Sequence, residues 1–133
     1  MTHISQPGEG TPRQDHRPLR DTLLLLPRLP LRGERDIDYE AADPALLSQL
    51  LENAQATMDT VHRGTTALGQ LLVLASPEIG TGEFPADVME ALGYLLAEVG
   101  DLAVVMHSLS TSCQRFTADY VPATTAHVAN TQL

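Results

Sequence analysis

Apolar residues recur at alternating steps of four and three along two long stretches of this chain. In the later stretch they are Val88, Leu92, Leu95, Val99, Leu102, Met106, Leu109, Cys113, Phe116 and Tyr120. In the earlier one they are Leu47, Leu51, Ala54, Met58, Val61, Thr65, Leu68, Leu72 and Ala75. A period near 3.5 residues held this long describes a helix that packs lengthwise against another helix. Asp43 and Pro44 open the first helix. The Asp is placed to accept the orphan amides, and Pro sits at the first position, where its missing N–H costs nothing. The expected helices are 44–75 and 86–120, separated by a loop over 76–85 that carries Pro77, Gly80, Gly82 and Pro85, with Val121 and Pro122 ending the second. Asp87 and Glu90 in its first turn complement the helix dipole.

Two helices of this length joined by so short a loop must run antiparallel. Their seams then fall into register, from Ala75 beside Val88, through Thr65 beside Val99, to Leu47 beside Phe116. The expected fold is all-α, a long antiparallel helical hairpin forming a two-helix coiled coil over residues 41–121.

The outer faces of the two helices differ. That of the first is mostly polar and belongs in solvent. That of the second carries Gly93, Ala97, Gly100, Val104, His107 and Thr111, a strip of small or apolar residues that lets another helix approach closely. The cost of ordering the chain is comparable to what one seam supplies, so a lone hairpin is energetically doubtful. A homo-oligomer is expected, most simply a two-fold dimer whose second helices pair through this strip into a four-helix bundle. The alternative is that a Leu-rich segment of the same chain covers the strip. Gly64 and Gly69 inside the first helix suggest close backbone approach or local flexibility.

Residues 1–40 contain five Pro and three Gly among polar and charged residues and read as a disordered Pro/Arg/Leu-rich arm. Within it, seven Leu fall in the 13 positions from Leu19 to Leu31. Such a segment either folds back on an apolar groove of its own helices or is a linear motif for another protein. Its docking residues are Leu23, Leu24, Leu25, Leu26, Arg28, Leu29 and Leu31. Residues 122–133 lack periodicity and read as a second disordered tail.

Composition narrows the function. The 17 acids against eight bases give a formal charge of -9, and no Lys is present. Six of the eight Arg precede Ile37. Beyond it 12 acids face only Arg63 and Arg115, about -10 for the helical part. That balance excludes a typical nucleic-acid binder. One Cys excludes an internal disulfide. No apolar run suits a membrane span or an export signal, which points to a cytoplasmic protein.

Candidate chemistry is sparse. Asp59 and His62 form the acid and His pair at helical spacing, with Asp101 nearly level on the other helix, but no second carboxylate joins them. Cys113 falls on the seam, where a thiol is a small buried hydrophobe. Gly80-Thr81-Gly82 lacks the Lys and the preceding strand of a phosphate loop. No catalytic residue, cofactor or metal is expected. The sequence therefore suggests a non-enzymatic protein–protein interaction module, a small bacterial or mobile-element accessory regulator, adaptor or inhibitor. Its partners would be a second copy of itself and an unidentified protein. Two alternatives are a secretion chaperone or secreted helical-hairpin substrate, and a metal-binding helical bundle.

Overall fold

The computed structural model describes residues 16–122; the remainder of the two expected tails, residues 1–15 and 123–133, lies outside it. The described chain is mostly helical. In order it forms α1 (Pro18–Leu25), a short 3-10 turn (Leu26–Arg28), β1 (Leu31–Arg32), β2 (Asp36–Ile37), α2 (Pro44–Leu74), α3 (Ser76–Gly80) and α4 (Ala86–Phe116). α2 and α4 are each 31 residues long.

The start of α2 follows the sequence signal. Asp43 is the N-cap, and its side chain accepts a hydrogen bond of 3.0 Å from the Ala45 amide. The expected loop after α2 contains a turn of helix, α3. Gly82 ends it with a left-handed φ of 80°, while the Glu83 amide donates to the Glu78 carbonyl and the Gly82 amide to the Ile79 carbonyl. Those two bonds close a Schellman cap, which needs Gly or Asn at its left-handed position. Pro85 is the N-cap of α4, which starts at Ala86 as expected. α4 also stops short of the expected residue 120. The Thr117 hydroxyl donates 2.7 Å to the Cys113 carbonyl, and its amide turns back to the Gln114 carbonyl, so the last turn is closed locally.

α2 and α4 pack side by side. Leu46, Leu47, Leu50 and Ala54, from the first half of α2, share one core with Met106, Leu109 and Cys113, from the second half of α4, so the two helices run in opposite directions. Thr65 and Val99, expected on one level, line the same grooves farther along.

The arm departs from expectation. Residues 18–42 are structured, not disordered, and pack on the start of α2. Leu29 and Ala42 are buried, Leu25, Leu26, Ile37 and Tyr39 lie against the core, and Thr22 is fully buried with its hydroxyl donating 2.8 Å to the Pro18 carbonyl. Burying several large apolar side chains at about 1.5–3 kcal/mol each is what offsets the cost of ordering so Pro-rich a segment. The two-residue strands pair antiparallel, Leu31 with Ile37 and Arg32 with Asp36, around a turn in which Gly33 holds a φ of 76°. Arg32 reaches Asp38 at 3.2 Å and Glu40 at 3.4 Å. Asp38 above all raises the Arg32 pKa. Tyr39 stacks on Phe116 with ring centroids 5.6 Å apart, joining the arm to the end of α4.

The packing is lopsided. In α2 and α4 every buried side chain lies between Leu46 and Thr57 or between Met106 and Cys113, the end where the arm supplies a third layer. We call this end the base and the end near α3 the tip. Leu50→Ala should therefore lower the free energy of unfolding by about 2–5 kcal/mol. Leu71→Ala at the tip, measured in dilute protein by the same denaturant titration, should change it by no more than about 0.5 kcal/mol.

Candidate functional site

One ridge of α2 shows where the structure is unfinished. Leu46, Leu50, Asn53, Thr57, Thr60, Gly64, Ala67, Leu71 and Leu74 follow one another at strictly alternating steps of four and three, so they lie along one side of the helix. The first four run beneath the arm. Leu46, Leu50 and Thr57 are buried, the His16 ring bonds Asn53 at 3.3 Å, and Asp21, Leu24 and Leu25 face Gln49, Glu52 and Asn53 across a cleft. From Thr60 onward all five residues are exposed. Leu71 is 60% and Leu74 75% exposed, and on α4 Leu95 is 56% exposed. Beyond the arm, Thr60, Gly64, Leu68, Leu95 and Val99 line an apolar groove between the two long helices on the same side.

The uncovered stretch carries no charge. From Gly64 to Pro77 α2 and the residues after it contain neither acid nor base. A helix segment apolar on so many sides is ordinarily buried.

Of the strip on α4, Gly100 lines a second groove between the long helices with His62, Thr65 and Thr66. Gly93, Ala97, Gly100, Val104, His107 and Thr111 are all exposed. The described part of the arm does not cover the strip, although Leu26, Ile37 and Tyr39 border Val104 at its edge. A Cβ added at Gly64, Gly69, Gly93 or Gly100 would meet nothing within 4 Å. The close approach that the helix glycines suggested is thus not made within the described chain.

The seven arm residues divide. Leu29 is buried, Leu25 and Leu26 pack against the core, and Leu23, Leu24, Arg28 and Leu31 are exposed. Sequence reading missed Ile37, Tyr39 and Ala42 as core-associated residues. The apolar, polar, apolar alternation of Ile37, Asp38 and Tyr39 was the available signal, but three residues of alternation among charges are too short to stand out.

The chemical candidates are engaged in structure. Asp59 pairs with Arg63 at 3.1 Å, one helical turn on, and His62 stands exposed on the groove with Gly100. Ser110 is buried, and the Thr111 hydroxyl donates to the His107 carbonyl at 2.9 Å. Among the described residues no three His, Cys, Asp or Glu side chains converge as a metal site, and no helix is long and apolar enough to cross a membrane. Cys113 is fully buried, and burial raises its thiol pKa to about 11.

Thiol chemistry gives a direct check on this core. In the native protein Cys113 should resist thiol reagents and react only once denaturant is added. From an ordinary value of 9.0 up to about 11 the unfolded chain ionises this group while the folded chain holds it protonated. Its contribution to stability is therefore complete below that window and is lost as pH rises through it. Cys113→Ala should show the shallower loss of stability across the same window. No family model, curated protein or solved structure matches this chain.

Proposed function

We propose that this chain is a non-enzymatic protein–protein interaction module that works as a homo-oligomer, its bare helical faces receiving a helix from a second molecule. The single observation that carries this reading is the α2 ridge, buried where the arm lies on it and exposed for its remaining five positions. Exposed apolar surface of this continuity marks an interaction site. Open space that a close helix can fill lies at Gly64 on α2 and at Gly93 and Gly100 on α4. An acidic surface with no Lys suits a protein partner better than a nucleic acid. A paired helical hairpin, coiled along its seam, is the architecture this reading assigns to the assembled state. A cytoplasmic accessory regulator, adaptor or inhibitor is the role that fits it.

Sedimentation over a micromolar to submillimolar range tests the reading. It should show association beyond the monomer that Leu71→Glu combined with Leu74→Glu abolishes, while helical content is retained. A monomer at every concentration would remove self-association from the account. Gly93→Ala supplies a second check. In the isolated chain it should stabilise by roughly 1 kcal/mol, because Gly is poor in a helix interior and the space is open, and association should weaken if the strip is in contact.

A further inference from the structure

The uncovered groove beside α1 has a definite shape, and the chain itself carries what fits it. This inference rests on the self-association reading above and names its geometry. The molecule is three layers thick at the base, where α1 lies on α2, and two layers thick at the tip. α1 turns a second apolar surface outward, with Leu23 56% and Leu24 67% exposed. The tip offers the groove between Gly64 and Leu95 as its counterpart.

We propose that two copies pair head to tail across this side, the outward face of α1 in each copy seated on the bare groove of the other. Three observations select this occupant. The first is continuity, since the groove prolongs, along one unbroken ridge, the surface that α1 already covers. The second is level. A two-fold axis at Asp59, the midpoint of Pro44–Leu74, carries the levels of Gln49 and Asn53, ten and six residues before it, to Gly69 and Thr65, ten and six after it. Leu24, which lies over Gln49 and Asn53 in its own chain, then stands over Ala67 of the other copy. The covered half of α2 is about 20 Å long and the bare half about the same, so thick end meets thin end.

The third is charge. Residues 16–42 carry five Arg and five acids and are balanced, whereas Gly64 to Gly100 holds five acids and no base. Head-to-tail pairing sets this balanced arm, and not a second acidic tip, along each acidic tip, with Glu98 one turn from Leu95. Pairing in the same direction would set like charges together. The contact is isologous, so it closes at two copies, and it leaves the strip from Gly93 to Thr111 open for a different partner.

Cysteine cross-linking decides the matter. Chains bearing Leu24→Cys are mixed with chains bearing Ala67→Cys, with buried Cys113 left in place, and treated with a short bismaleimide. Both substituted positions are exposed, so folding is not at risk. The two positions lie about 20 Å or more apart along one chain, beyond the reach of the reagent. A cross-linked dimer from the mixture, far above that from either chain alone, is the result expected. Leu24→Glu should also raise the dimer dissociation constant about tenfold or more, as loss of one buried leucine implies. A dimer that fails to join positions 24 and 67 but joins Ala97→Cys to itself would overturn this geometry and leave the self-association reading standing. A monomer throughout would overturn both.

Discussion

Two helices lying side by side can each bury only the stripe that faces the other. The flanks stay wet unless a third element lies in the groove between them, and this limit governs the whole molecule. Where α1 and the residues after it supply that element, Leu46, Leu47, Leu50 and Ala54 close with Met106, Leu109 and Cys113 into a dry core. Past Thr57 no third element follows among the described residues. The same helices continue with Leu68, Leu72, Leu92 and Val99 only half buried between them, and with Leu71, Leu74 and Leu95 in solvent. The seam repeats throughout, but burial does not.

The arm is held by means that suit a short, Pro-interrupted segment. Pro18 starts α1 where a missing N–H is harmless, and the Thr22 hydroxyl satisfies itself on the Pro18 carbonyl, so a polar residue can sit fully buried. Gly33 turns the chain, and Tyr39 on Phe116 fastens the far side to α4. Arg32, between Asp38 and Glu40, adds surface ion pairs of small individual weight. The leucines that look out of place in a disordered arm are thereby split between a core that needs them and an outer face that keeps Leu23, Leu24 and Leu31 exposed.

Much of this was legible in the sequence because it is local. The Asp43 cap, the rhythm of both seams, the Pro and Gly punctuation between them and the buried place of Cys113 all follow from spacing alone. The order in the arm was not legible as such, because its elements are shorter than any periodic signal and are stable only against α2. That is a tertiary effect, and Pro and Gly counts argue the other way. The ridge from Leu46 to Leu74 was present in the sequence but lay beside a second, equally regular seam. Only the position of α1 shows that half of it is covered. The strip on α4 was found from helical spacing, and the structure adds that the described arm reaches it at Val104.

Taken together, a base finished by the described residues and a tip that they leave bare support the proposal that another molecule completes the tip. Amide hydrogen exchange of residues 60–74 and 88–100, compared between dilute and concentrated protein, measures this most directly. The account predicts that exchange there slows as concentration rises while the base stays unchanged. Equal rates at every concentration, with the tip exchanging as a frayed helical end, would contradict it.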